Sequence, residues 1–175
     1  MTQTTTPLAL PPSSATTEAV GGIRRTADLM CCSFVVQGRA VGEPVPDVDA
    51  RRVGEVRRVV DARLGCLGLG ALRDSVLLVV SELVTNAVEH TADSGGGCVT
   101  VTQVSVRGGL RIEVRDEAHG HPQVRAPGLE SERGRGLHLV DLVTAELGGR
   151  WGHSPGTGTV WCTIPTTIPV TPARP

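Results

Sequence analysis

Apolar residues recur at helical spacing in three stretches of the chain. In residues 47–65, valines and leucines keep a period near 3.6, with most arginines and acids on the other side. Residues 69–91 are apolar around much of the helix circumference, and apolar spacing returns at residues 137–147. The pattern predicts a scaffold helix, a largely buried helix and a third helix.

Alternating or β-branched runs predict five strands. The first covers residues 29–38, and the runs 98–106 and 109–116 lie on either side of a glycine-containing turn, which is typical of an antiparallel hairpin. Residues around "GGRWGHSP" and residues 157–165 predict a closing pair. The order of the elements favours an α+β fold. We expect a two-layer α/β sandwich with a mainly antiparallel mixed sheet and helices on one face.

Two kinds of segment lack periodicity. Residues 1–27 and 166–175 are rich in threonine and proline, which predicts disordered tails around one domain at residues 28–165. Residues 117–135 carry glycine, proline, histidine and arginine. A loop of that length inside a compact domain is often a lid or a binding loop.

Charge and composition exclude several classes of protein. The formal net charge is -1 at pH 7, so no global basic field would hold nucleic acid or an anionic membrane. All 17 basic residues are arginines, and the absence of lysine excludes both a lysine-containing phosphate loop and Schiff-base chemistry.

The expected location follows from the cysteines and the apolar runs. The five cysteines form no C-x-x-C pair, so they fit neither a disulfide framework nor a zinc site, and a reducing cytoplasm is the simpler interpretation. The longest apolar run, residues 76–80, is far shorter than the ~20 residues of a membrane span. The N-terminus also lacks the pattern of a signal peptide.

The segment "SELVTNAVEH" (81–90) places polar residues inside the most apolar helix. Glu82, Asn86 and His90 follow one another at intervals of four, so they project from one face. Asn86 is the chain's only asparagine, and asparagine is unfavourable within a helix. The row is either a narrow solvent-facing stripe or a set of oxygen donors for a hard cation such as Mg²⁺, with a carboxylate free for proton transfer.

Three further segments stand out, and the first two admit two interpretations each. Gly134 and Gly136 enclose Arg135 directly before a helix, which is either a turn or a site where backbone N–H groups meet an anion. Asp116 closes a strand, where it either begins a turn or faces a cavity. The sequence "GTGT" (156–159) is by itself a hairpin turn.

The order of these segments resembles the boxes of the GHKL, or histidine kinase-like, ATP-binding superfamily. The resemblance rests on "SELVTNAVEH", "DEAHG" (116–120), "GRGL" (134–137) and "GTGT", and it covers about residues 29–165. The E-L-x-x-N-A-x-x-H form is most similar to small bacterial anti-sigma factor serine/threonine kinases. The chain departs from the D-x-G-x-G box at Ala118, which implies weaker affinity than is usual in the family.

The resemblance implies a role for each matching residue. Asn86 would ligate a Mg²⁺ ion that bridges the phosphates of ATP, and Glu82 would act as the general base or orient the attacking hydroxyl. Asp116 would accept a hydrogen bond from the adenine amino group, with Thr159 supporting that contact directly or through water, and Gly120 would let the loop pass close to the nucleotide. The remaining expected nucleotide contacts are His90, Gly134, Arg135, Gly136 and Leu137, and residues 117–135 would form the ATP lid.

Three functions remain open, and the last of them, an α+β interaction domain that binds no nucleotide, would require the resemblance of all four segments to be coincidence. The first is an anti-sigma kinase that transfers the γ-phosphate of ATP to an antagonist protein and sequesters a sigma factor in exchange. The alternative is an ATP-responsive binding module that engages a regulatory partner without useful phosphoryl transfer. The resemblance also implies a homodimer, while neither nucleic acid nor a membrane is expected as a partner.

Overall fold

A computed structural model describes residues 29–40, 43–106, 108–117, 135–154 and 156–166. Its elements follow the predicted order with shifts of a few residues at their ends. Residues 1–27 and 167–175 of the predicted tails lie outside the described residues, as does most of the predicted lid. The strands are β1 (Leu29–Gln37), β2 (Gly96–Val106), β3 (Gly109–Asp116), β4 (Arg150–Ser154) and β5 (Thr159–Pro165), and the helices are α1 (Asp47–Cys66), α2 (Arg73–Asp93) and α3 (Arg135–Glu146).

The helix predicted at residues 69–91 begins differently from the prediction. A short 3-10 helix, Gly70–Leu72, precedes α2, which starts at Arg73. Gly68 has a φ of 69°, a left-handed conformation that ends the preceding turn of the chain. The glycines between α1 and α2 therefore delay the regular helix although apolar residues continue through them.

The five strands form one sheet in the order β1-β2-β3-β5-β4. Every pairing between the described strands is antiparallel, and the predicted β2–β3 hairpin is confirmed, with Val106 paired to Gly109. The central pairing of β3 with β5 joins strands that are distant in sequence. This pairing brings the end of β3 next to the turn before β5, so Asp116 lies beside Gly158.

The core lies between one face of the sheet and the helices, as the prediction of helices on one face required. Alternate strand residues such as Val101, Ile112 and Ile164 are fully buried there, opposite Val80 and Val84 of α2. Burying a side chain of this size stabilises a fold by roughly 1.5–3 kcal/mol. Because α2 contacts both other helices and three strands, it is the central helix of its layer.

The two tryptophans lie on opposite faces of the sheet. Trp151 packs at the edge of the core and donates its Nε1–H to Asp141 of α3 at 2.8 Å. On the open face, the guanidinium of Arg111 lies 4.5 Å from the ring centre of Trp161. No helix in the described parts of the chain combines the length and the apolar character that crossing a bilayer requires.

Candidate functional site

The row formed by Glu82, Asn86 and His90 lies at the border of the core. All three side chains are half-buried, while the intervening apolar residues of α2 are buried. Successive members lie about 6 Å apart along the helix axis, because each step covers four residues. The row therefore extends over about 12 Å, with a carboxylate at one end and an imidazole at the other.

The start of α3 lies against the Glu82 end of this row. Gly136, the second residue of α3, is buried. With Glu82 in its present position, a Cβ atom at Gly136 would overlap the Oε2 of Glu82 and would lie 3.7 Å from the Nδ2 of Asn86. Glycine thus permits a helix N-terminus, with its free N–H groups and partial positive charge, to approach these two side chains.

Asn86 has an unsatisfied amide group beside that helix start. Its Nδ2 is buried and has no hydrogen-bond partner among the described residues. Buried polar atoms are nearly always paired, so an unpaired one points to a missing partner. A carboxamide presents an oxygen to a cation and an NH₂ group to a phosphate oxygen, so Asn86 fits either part of a magnesium–triphosphate.

A second polar centre surrounds Asp116 at the end of β3. The residue is only 8% exposed, and its Oδ2 lies 3.0 Å from the Nδ1 of His90. The backbone N–H of Asp116 donates to the carbonyl oxygen of Gly158 at 3.2 Å. The other carboxylate oxygen, Oδ1, is buried and has no partner among the described residues. One oxygen is held in place while the other remains available as an acceptor.

Gly158 shapes the surroundings of that free oxygen. It has a φ of 63°, which disfavours a side chain, and a Cβ atom there would lie 2.9 Å from Oδ1 of Asp116. The sequence "GTGT" is therefore a turn and, at the same time, one wall of the Asp116 site.

The ionisation of Asp116 reflects opposing effects. Burial raises the pKa of its carboxyl group above the usual value, because the charged form loses water. The charge and hydrogen bond of His90, and the charge of His153, act in the opposite direction. Asp116 is thus a carboxylate whose charged state depends on two histidines from different parts of the fold.

The structure brings together some of the predicted residues. Glu82, Asn86 and Gly136 meet at one end of the row, and His90 and Asp116 meet at the other. Leu137 packs partly buried against the core, which anchors the first turn of α3. The predictions for Gly120, Gly134 and the side chain of Arg135 lie outside the described residues.

Thr159 is not brought to the Asp116 carboxylate. It pairs with Arg115, the neighbour of Asp116 whose side chain points to the opposite face of the sheet. Its hydroxyl lies 3.0 Å from the hydroxyl of Thr157. The strand register thus places Thr159 on the face of the sheet opposite to the Asp116 side chain.

His153 is a member of the site that the sequence did not indicate. It is paired with Val160 on β5, two positions along β4 from Trp151, and therefore faces the helices. Its Nε2 is buried without a partner among the described residues. The alternation of Trp151 and His153 could have suggested this orientation, but only the sheet order places His153 near Asp116.

Known proteins and a protein family are similar to this chain in sequence. The sequence model of a family described as histidine kinase-like ATPase domain matches residues 47–164. The sensor histidine kinase PdtaS of Mycolicibacterium smegmatis is 41% identical over 95 residues, and that of Mycobacterium tuberculosis is 36% identical over the same length. Each match covers 51% of this chain and 19% of the relative, so the chain spans about a fifth of the curated proteins it matches.

A solved structure is also similar. The histidine kinase domain of the blue-light activated histidine kinase EL346 from Erythrobacter litoralis superimposes with a TM-score of 0.46 at 21% sequence identity. The superposition covers 74% of this chain and 66% of that domain.

Proposed function

Because the chain belongs to the histidine kinase-like ATPase family, we propose that it binds ATP with Mg²⁺ and acts as a regulatory serine/threonine kinase of the anti-sigma type. The observation that carries the ATP site is the arrangement along α2. The amide of Asn86 and the start of α3 meet at one end, and the Asp116 carboxylate lies at the other. A ligand with phosphates at one end and a hydrogen-bond donor at the other fits that separation.

The Glu82 end of the row would hold the phosphates. Asn86 would ligate Mg²⁺, which when bound neutralises phosphate charge. The N–H groups of the first turn of α3 would face the phosphate oxygens, with Gly134, Arg135 and Leu137 belonging to the same segment. Glu82 would orient the hydroxyl of the acceptor and accept its proton, since its carboxylate lies directly against that helix start.

The Asp116 end of the row would hold the adenine base of ATP. The unpaired Oδ1 of Asp116 can accept a hydrogen bond from the amino group of adenine. Because a buried acceptor without a partner costs free energy, the site favours a ligand that supplies this donor. Gly158 places no side chain against that oxygen. An adenine nucleotide satisfies a group that the described residues leave unsatisfied.

The phosphate acceptor and the protein partners are proposed from the E-L-x-x-N-A-x-x-H form of residues 82–90. We propose that the phosphate passes to a serine or threonine of an antagonist protein, that a sigma factor is the protein sequestered, and that the chain forms a homodimer. The PdtaS relatives are named sensor histidine kinases, so the identity of the acceptor residue is the point that an experiment must decide.

Phosphoryl transfer can be tested with γ-labelled ATP, Mg²⁺ and purified candidate antagonist proteins. We expect an acid-stable label on a serine or threonine of one antagonist. Glu82→Gln should lower the transfer rate by about 10²–10⁴-fold while ATP affinity stays within about twofold of wild type. The matched control is Glu146→Gln, since Glu146 is exposed at the far end of α3.

Other results would change the assignment. An acid-labile label on histidine would show histidine kinase activity instead. ATP-dependent capture of a partner without any transfer would support the binding module. If calorimetry detected no ATP binding to the wild-type chain, the proposed nucleotide site would be wrong.

A further inference from the structure

We infer that His90 is a positioning residue for the base-recognising carboxylate: its Nδ1–H holds Oδ2 of Asp116 so that Oδ1 alone faces the ligand. This inference rests on the proposed ATP site, and it assigns His90 an indirect role there. The ligand's base would contact Asp116, and His90 would act through that contact.

The geometry of the pair carries the inference. His90 belongs to α2 and Asp116 to β3, so their hydrogen bond of 3.0 Å joins the helix layer to the end of a strand. An ionised carboxylate can only accept, which requires the proton to lie on Nδ1. In the neutral imidazole, Nε2 is then an acceptor and cannot donate to Oδ2 or to a phosphate.

The hydrogen bond restricts a torsion that is otherwise soft. The last torsion of an aspartate side chain has broad minima, so a free carboxylate can present either oxygen over a range of directions. Here His90 holds Oδ2, and the backbone of Gly158 lies beside Oδ1. The carboxylate is thereby fixed before a ligand arrives, which reduces the ordering cost of binding.

Charge supports the same assignment. Donation from His90 favours the carboxylate form of Asp116 against the effect of burial, which raises the pKa of this group. A protonated carboxyl could donate through one oxygen and would no longer be a dedicated acceptor. His90 thus maintains both the orientation and the acceptor character of Oδ1.

Three substitutions at His90 separate the possible roles. The NH₂ group of asparagine occupies nearly the position of Nδ1, that of glutamine lies nearer to Nε2, and leucine retains bulk without a donor. We expect His90→Asn to keep ATP affinity within about threefold of wild type. His90→Gln and His90→Leu should weaken ATP binding about tenfold, the effect expected from losing one hydrogen bond to a charged group.

The measurement is titration calorimetry with the full chain and Mg²⁺, using ATP and purine riboside triphosphate, which lacks the exocyclic amino group. Wild type should prefer ATP, and His90→Leu should abolish that preference while leaving the affinity for purine riboside triphosphate unchanged. In the Asp116→Asn background, His90→Leu should have no further effect on ATP affinity. Far-UV circular dichroism verifies that each variant is folded.

The alternatives give different results. Recovery by glutamine and not by asparagine would make His90 a direct nucleotide ligand through Nε2 and would overturn the inference. Equal losses for both nucleotides in all three variants would indicate a purely structural role and would also overturn it. If wild type bound ATP and all variants matched it, the inference would be wrong while the proposed function stood. Absence of ATP binding to wild type would reject the proposed function itself.

Discussion

Gly136 lies directly against the carboxylate of Glu82, so that a methyl group on Gly136 would overlap Oε2. This contact joins the first turn of α3 to the polar row of α2. It explains why a glycine stands in the first turn of a helix, where it costs stability relative to alanine. The close approach to Glu82 in its present position, and not the helix, accounts for the glycine.

Gly136→Ala should therefore disturb catalysis more than folding. The overlapping atom is the end of a flexible side chain, so Glu82 can move aside, and we expect a melting temperature within a few degrees of wild type. Displacement of the Glu82 carboxylate should lower the rate of phosphoryl transfer by at least about tenfold, since a misplaced general base loses much of its effect. Thermal melts and a transfer assay measure the two effects.

Gly54→Ala is the matched control for that variant. Gly54 lies within α1, and a Cβ atom there would meet nothing within 4 Å. The substitution should raise the free energy of unfolding by about 0.5–1 kcal/mol without changing activity. If both variants behaved alike, the close approach of Gly136 would have no functional meaning.

Asn86→Ala should weaken ATP binding in the presence of Mg²⁺. The amide would no longer ligate the cation or meet a phosphate oxygen, and we expect a loss of about tenfold or more. The affinity measured with excess chelator should change much less. Thr85→Ala, at the adjacent half-buried position of α2, is the control. An unchanged Mg²⁺-dependent affinity in Asn86→Ala would remove Asn86 from the site.

Asp116→Asn should stabilise the free protein while it weakens ATP binding. At neutral pH the substitution removes a buried charge, and the new side chain can still accept from His90, so a gain of about 0.5–2 kcal/mol in the free energy of unfolding is expected. Urea unfolding without nucleotide measures this gain. Calorimetry with ATP measures the loss of affinity. A variant that was both less stable and unchanged in affinity would contradict the assignment.

The raised pKa of Asp116 also predicts a pH dependence of opposite sign for stability and binding. Its folded-state pKa lies above the unfolded value of about 3.9, so the folded state binds this proton more tightly. The stability contributed by the group is present in acid and is lost as pH rises through the folded pKa. ATP affinity should change in the other direction, since the ionised carboxylate is the stronger acceptor for the adenine amino group and protonation can turn one of its oxygens into a donor.

Comparison with Asp116→Asn isolates that effect. His90 of α2 and His153 of β4 both lower the pKa of Asp116. The pH dependence of ATP affinity therefore reflects the charges of these histidines as well as that of Asp116. We expect the acid loss of ATP affinity in wild type to begin at a higher pH than an ordinary aspartate would give, and to disappear in Asp116→Asn. Calorimetry at a series of values between about pH 4.5 and pH 8 would detect this loss. Identical profiles for both proteins would show that another group is responsible.

The elements of the fold were predictable because their physical causes are local. Periodic apolar residues determine which segments form helices or strands, and the glycine-containing turn after β2 indicates a hairpin without reference to the rest of the chain. The order of the motifs indicated the histidine kinase-like family, and the family comparison confirms it. Asn86 and Glu82 could also be singled out as candidate site residues, because polar residues in an apolar helix are conspicuous.

Only the tertiary structure decided how the Asp116 site is built. The partnership of His90 with Asp116 depends on how α2 packs on the sheet, and the position of Gly158 depends on the pairing of β3 with β5. That register also directs Thr159 away from the site and places His153 on the same face as Asp116. Spacing along a chain determines which side of one element a residue occupies. Which residues of distant elements meet depends on strand register and helix packing, which arise from the whole core at once.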